Sequence, residues 1–414
     1  MGNIDINKLA ELAKLCVEVG LNLQKGQDLI ITAPIEALPL VRLIAKYAYS
    51  NGSGIVTPFF QDDELSLARF LNPDKTSYDR ASGWLYEAMA KAYSNGAARL
   101  AIAGENPVLF SEVDSELVSR ANKSASIAFQ PALAKIASFD INWSIVSYPT
   151  KSWANVVFPD LPADAAIGAL ADAIFKASRV TDGNSISAWK DHNANLRKRT
   201  DWLNNNKFDS LHFKSSKTDL TIKLADKHLW QGGASQAKNG VICNANIPTE
   251  EVFTTPHSHG VDGIVYSTKP LSYQGTLIED IMMRFEGGRV VEARAIKGED
   301  VLQRVLSSDE GASRLGEVAL VPHSSPISAS GLLFYNTLYD ENAACHIALG
   351  QCYSKCFENG ISATTEDIAK QGGNKSTIHI DWMIGSNDMD IDGIKFNGDV
   401  VPIFRSGEWC EGNS

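Results

Sequence analysis

The stretch Thr377-Ile-His-Ile-Asp-Trp-Met-Ile384 places an imidazole and a carboxylate two residues apart. Ile378, Ile380, Trp382 and Ile384 are all apolar, while the odd positions carry His379 and Asp381. Side chains alternate between the two faces of an extended strand. The pattern therefore predicts a strand with an apolar back and a front on which one nitrogen and one carboxylate oxygen converge. Such a pair suits a divalent metal ion such as zinc, manganese or cobalt. Taken alone, a His-x-Asp pair is more simply the polar face of an edge strand.

A second candidate is Glu341-Asn-Ala-Ala-Cys-His346-Ile-Ala-Leu-Gly-Gln-Cys-Tyr353. Read as a helix, it puts Asn342, His346, Leu349 and Tyr353 on one stripe, so that His346 and Tyr353 could reach a common site. Leu349 between them fits equally well with a buried, hydrogen-bonded histidine and a packed tyrosine. Two acidic positions stand beside apolar segments. Glu251 lies in Asn246-Ile-Pro-Thr-Glu-Glu-Val-Phe-Thr-Thr-Pro256, and Glu317 opens the apolar strand Val318–Pro322. A carboxylate beside an apolar strand usually points to water, but it can also be a buried ligand whose charge a metal neutralises. His257 and His259 follow in a run that reads as loop, with surface histidines the simpler account.

Positioning such groups needs a scaffold, and the chain supplies two kinds. Up to about residue 183, helical and strand patterns alternate. Leu9, Leu12, Ala13, Cys16 and Val19 recur at helical spacing, followed by the apolar Leu29-Ile30-Ile31. Ala48-Tyr-Ser-Asn-Gly52 recurs as Ala92-Tyr-Ser-Asn-Gly96, each copy closing a helix before a strand. This alternation predicts an α/β domain, 1–183, with a largely parallel sheet. The turn Thr181-Asp182-Gly183-Asn184 separates it from a C-terminal domain, 184–414. There, Leu211/Phe213 and Leu220/Ile222/Leu224 alternate at period two. Gly287-Gly288, Asp392-Gly393 and Asn397-Gly398 read as tight turns. That half is expected to be α+β, rich in antiparallel strands, with helices near 298–306 and 340–358.

The 414 residues suffice for two cores. A net charge of −11 argues against nucleic acid or an anionic membrane as partner. The six cysteines form no CxxC pair, which suits buried thiols in a reducing compartment. No signal-peptide pattern and no long apolar run is present, so the chain is expected in the cytoplasm without a membrane span. Gly52-Ser-Gly54 follows a helix and precedes a strand, the reverse of a dinucleotide fingerprint. No Gly-x-Ser-x-Gly elbow supports a serine hydrolase.

Together, the blocks around Glu251, His346 and His379 resemble, in order and spacing, the signature blocks of the thermophilic aminopeptidase family. These are dinuclear metallo-aminopeptidases of bacteria. The likeness extends into the first half through Leu23-Gln-Lys-Gly-Gln27 and the strand after it. It implies two divalent ions (zinc, cobalt, manganese or magnesium) held by Glu251, Glu317, His346, His379 and Asp381, with Glu341 a further candidate ligand. Glu251 is preferred to Glu250 because the family pattern places its acid directly before Val-Phe-Thr. Glu317 would move a proton and Tyr353 would donate a hydrogen bond during peptide hydrolysis. The resemblance also implies peptide substrates and a homodimer. The competing expectations are a non-catalytic peptide- or metal-binding protein on the same scaffold, and a metal-dependent amidase of other substrates.

Overall fold

A computed structural model describes residues 4–71, 75–180, 183–273, 276–360, 363–410 and 412. The chain forms two compact units. The first comprises residues 1–190 and 234–248, the second 191–233 and 249–414. Thr181 and Asp182 of the expected interdomain turn lie outside the described residues.

The first unit is built on a parallel sheet whose strands run in the order Val56–Gln61, Leu29–Pro34, Ala98–Ala103 and Trp143–Ser147. The apolar stripe of the first helix, Ile6–Leu15, buries Leu9, Leu12 and Ala13. That of the second, Leu38–Ser50, buries Leu40, Ile44 and Ala48. Both stripes join Leu29, Ile31, Leu100 and Val146 in one core. The two Tyr-Ser-Asn-Gly corners are structurally alike. Gly52 and Gly96 take φ of +81° and +92°, a conformation open to glycine but costly for other residues. In each corner the residue after the glycine donates back five residues, Ser53 to Ala48 O and Ala97 to Ala92 O.

Among its described residues the second unit contains a two-stranded antiparallel ribbon, Leu271–Tyr273 with Thr276–Ile278, and two larger antiparallel sheets. One has eight strands and includes Ser210–Lys214, Asp219–Leu224 and the hairpin Met282–Glu286/Arg289–Arg294. The other has five strands, in the order His379–Met383, His346–Gly350, Leu315–Leu320, Val252–Thr254 and Gln231–Gly232. Both contribute to one apolar core: Phe213, Ile222, Val261 and Phe285 from the larger sheet meet Val318, Leu320, Ile347, Leu349, Ile380 and Trp382 from the smaller. Each of these large side chains, removed from water, contributes on the order of 1.5–3 kcal/mol.

Three local expectations are corrected. His346–Gly350 is a strand rather than part of a helix over 340–358, and only short helical turns flank it, at Thr337–Asp340, Glu341–Ala343 and Ser354–Cys356. All five of its residues are buried on both faces, so no amphipathic alternation marks it as a strand. Asp392-Gly393 is not a turn but lies within the strand Asp390–Ile394. Glycine is required there for space: a Cβ on Gly393 would stand 2.5 Å from the Phe208 ring. His257 and His259 belong to the long strand Pro256–Tyr266, not to a loop.

Candidate metal centre

The five-stranded sheet has two chemically opposite faces, and its register explains why. Glu317 lies opposite Ala348, and Ala348 opposite Asp381. One step along, Ala319 lies opposite His346 and Phe253 opposite Ala319, while Gly350 lies opposite His379. Directly paired residues share a face, as do residues two apart on one strand. Glu317, His346, His379, Asp381 and Phe253 therefore all belong to the front. Val252, Val318, Leu320, Ile347, Leu349, Ile380 and Trp382 form the apolar back. By the same alternation Glu251, two residues before Phe253, comes to the front and Glu250 does not. Glu250 is buried instead near His192, its carboxylate 3.9 Å from Nε2, and its backbone N–H donates to Asn342 Oδ1 at 2.7 Å.

Two groups of potential ligands result, and each keeps its ligand atoms within 4.8 Å of one another: Glu251, Glu317 and His346, and Glu317, His379 and Asp381. His346 Nε2 lies 3.1 Å from Glu251 Oε2 and 3.7 Å from Glu317 Oε1. His379 Nε2 lies 3.6 Å from Glu317 Oε2 and 3.4 Å from Asp381 Oδ1. Glu317 thus turns one oxygen toward each histidine. Neither Glu341 nor the His257/His259 pair enters such a group among the described residues.

Both imidazoles are oriented from behind. His379 Nδ1 lies 2.7 Å from the carbonyl oxygen of Gln351, and His346 Nδ1 lies 3.1 Å from that of Ala344. A carbonyl only accepts, so Nδ1 donates in each ring and Nε2 is the nitrogen presented to the site. This is the arrangement that fixes a ligating histidine's tautomer and rotation. Asp309 secures the start of the His379 strand. Its carboxylate accepts from Thr377 N at 2.7 Å, Thr377 Oγ1 at 2.5 Å and Ser376 Oγ at 2.9 Å.

The electrostatics are those of crowded carboxylates out of water. Burial, with Asp381 and Glu251 nearby, pushes Glu317 up to about 7 despite its contact with His346. Burial and the charges of Asp381 and Glu251 hold Glu341 well above the usual carboxylate range. Burial opposes protonation of His379, but Asp381 and Glu317 raise its imidazole to about 10. Burial would likewise raise Asp381, yet His379 holds it below the ordinary value. Glu317 Oε2 and Asp381 Oδ1 are buried and accept no hydrogen bond. Buried acceptors of this kind are costly unless something positive meets them. A divalent cation bound by carboxylate oxygens and imidazole nitrogens fits the donor set.

Tyr353 borders this front. Its ring centre is 4.7 Å from that of His379 and 6.1 Å from that of Phe253. It arrives there from a loop after the strand, not from a helical stripe shared with His346. Sequence reasoning missed the roles of Asp309, Gln351 and Asn342. Backbone carbonyls and distant polar partners leave no spacing pattern along the chain.

The pattern of the thermophilic metalloprotease (M29) family matches residues 5–409. Aminopeptidase T of Thermus thermophilus is 49% identical over 401 residues, covering 97% of this chain and 98% of that protein. Aminopeptidase AmpS of Bacillus subtilis is 44% identical over 403 residues, covering 97% of this chain and 98% of that protein. The solved structure of wild-type AmpT from Thermus thermophilus superposes with a TM-score of 0.93 at 48% identity, covering 97% of this chain and 99% of that one.

Proposed function

This chain belongs to the thermophilic metalloprotease (M29) family, and from that membership we propose that Glu251, Glu317, His346, His379 and Asp381 hold two divalent cations on the front of the five-stranded sheet. The protein is a metal-dependent aminopeptidase, a hydrolase of peptide bonds. The observation that carries the two-ion assignment is the position of Glu317. It belongs to both ligand groups and has one oxygen near each histidine, so that it could be shared between two ions. Glu341 lies within the charge field of the site but outside both groups, as a reserve ligand. Zinc, cobalt, manganese and magnesium all accept oxygen donors, and the two imidazoles favour the transition metals among them.

Bound cations supply an acidified water and polarisation of the scissile carbonyl. The residues of the chain do the rest. With both oxygens of Glu317 given to the ligand groups, Glu341, which lies in the charge field of the site but in neither group, takes a proton from the attacking water and returns it to the leaving amine. Tyr353 donates its phenolic hydrogen to the carbonyl oxygen as that oxygen gains charge. A phenol is protonated near neutral pH and so enters as a donor. The carboxylates of the front also suit a substrate's free α-ammonium, which is what restricts cleavage to the first residue.

A homodimer and residence in the cytoplasm belong to the same proposal. No helix among the described residues is long and apolar enough to cross a membrane. Assays of matched free and N-acetylated peptides, with and without a chelator, test the function. Hydrolysis of the free peptide alone, abolished by the chelator and restored by metal, is the expected result. Equal rates on both peptides would point to an endopeptidase or amidase, and metal-independent cleavage would remove the metal site from the account.

A further inference from the structure

Asn342 is fully buried, and its side chain joins two acidic segments of the site. Its Oδ1 accepts from Glu250 N at 2.7 Å. Its Nδ2 donates to Leu338 O at 2.9 Å and reaches Glu341 Oε1 at 3.4 Å. A backbone N–H only donates and a carbonyl only accepts, so Glu250 and Leu338 leave the amide a single orientation. That orientation turns the second N–H of the amide toward the Glu341 carboxylate.

The turn that carries Asn342 is firmly built. The carbonyl of Asn342 accepts from Ser325 Oγ at 3.0 Å. The short helix before it, Thr337–Asp340, is capped by Asn336, whose side chain accepts from Leu338 N at 3.1 Å. Asp340 fastens the chain leading in, accepting from Phe334 N at 2.8 Å and from Asn336 N at 3.0 Å. A buried amide whose donors and acceptor are met specifies one geometry. The two ends of this bridge differ in chemistry. One is the backbone beside Glu251, a proposed ligand. The other is Glu341, which moves the proton in the reaction above. Among the described residues Asn342 is the donor to that carboxylate. At 3.4 Å the contact is long for a hydrogen bond, so it steers the carboxylate without immobilising it.

We infer that Asn342 is a positioning residue for peptide hydrolysis: by bonding at once to the Glu250 backbone and to Glu341, it sets where the Glu341 carboxylate stands relative to Glu251. The inference rests on the proton-transfer role given to Glu341. Its test uses the wild type, Asn342→Ala, Asn342→Asp, Glu341→Gln and the double variant Glu341→Gln/Asn342→Ala. The apoproteins are titrated with zinc, and kcat and KM for an unblocked tripeptide are measured at saturating zinc. Asn342→Ala should weaken zinc binding by about tenfold or more, because Glu251 loses its anchored neighbour, and should lower kcat by about 10–100-fold with KM little changed. Asn342→Asp keeps an acceptor for Glu250 N but has no donor for Glu341. Its zinc affinity should stay at or above that of the wild type while its kcat falls as in Asn342→Ala. In the Glu341→Gln background, Asn342→Ala should cost no further kcat, since the two side chains act as a unit. Wild-type zinc affinity and kcat in Asn342→Ala would overturn the inference. So would an equal loss of kcat in both backgrounds, which is what a purely structural residue would give. Thermal midpoints of the apoproteins identify misfolding, and Asn342→Asp, which has the same shape, carries the test if Asn342→Ala does not fold. Full kcat in Glu341→Gln would show instead that the proton-transfer reading is wrong, and this inference would fall with it.

Discussion

Glu317 and Asp381 lie in one cross-strand row of the sheet with only Ala348 between them. Ala348 is fully buried. A methyl group is all the side chain that separates two carboxylates on adjoining strands, and the space above it is where their oxygens and the two imidazoles converge. Ala348→Leu should fill that space. Overpacking of this kind costs on the order of 1–3 kcal/mol, so the fold should survive while metal binding and peptidase activity are lost. Metal content and thermal midpoint measured on the same preparation check this; a variant with full metal would mean the site lies off this row.

Glu250 and Glu251 are adjacent and both buried, but they leave the backbone toward opposite sides. Glu251→Gln should therefore weaken metal binding by about 10–100-fold or more, since losing even a partner outside the coordination sphere typically costs that much. Glu250→Gln should retain the metal and act through stability. Titration of the apoproteins with a divalent ion distinguishes the two, and a reversed order would put Glu250 in the site.

His379 and Ile380 are neighbours with opposite duties. His379→Ala should lose metal affinity and activity but keep its thermal midpoint close to that of the apo wild type, because the apolar back of the strand is untouched. Ile380→Asp sets a charge among Leu349, Trp382 and their neighbours and should prevent folding before chemistry is at issue. His379→Ala with full metal and full activity would make His379 an ordinary surface residue.

Asp309 supplies a pH-dependent test. Its carboxyl is held below the ordinary range: burial opposes this, but the hydrogen bonds from Thr377, Ser376 and Gly311 prevail. A group whose pKa is lowered on folding stabilises the protein above its unfolded pKa, and that stabilisation fades as pH falls through the folded value. Asp309→Ala should thus cost about 1–3 kcal/mol near neutral pH and progressively less in acid below about pH 4. Denaturant midpoints across that range decide it; a pH-independent difference would show that the loss is one of packing.

How far these features could be read from the chain depended on whether they were local. The alternation at 378–384 disclosed a two-faced strand because one face is apolar and the other polar. The repeated Tyr-Ser-Asn-Gly corners were equally legible, since capping is decided within five residues. His346–Gly350 was not. Burial on both sides erases its period, and the coincidence of Asn342, His346, Leu349 and Tyr353 at helical spacing then suggested the wrong element. The shared position of Glu317 was hidden for another reason. It depends on the register of three strands drawn from separate parts of the chain, which no local spacing encodes.

The central claim is that Glu317 joins two cation sites, and anomalous scattering from crystals soaked with zinc, cobalt or manganese tests it most directly. Data collected on both sides of the absorption edge of the soaked metal should show two peaks. Glu251, Glu317 and His346 should surround one, and Glu317, His379 and Asp381 the other. A single peak, or two peaks that do not share Glu317, would contradict the account.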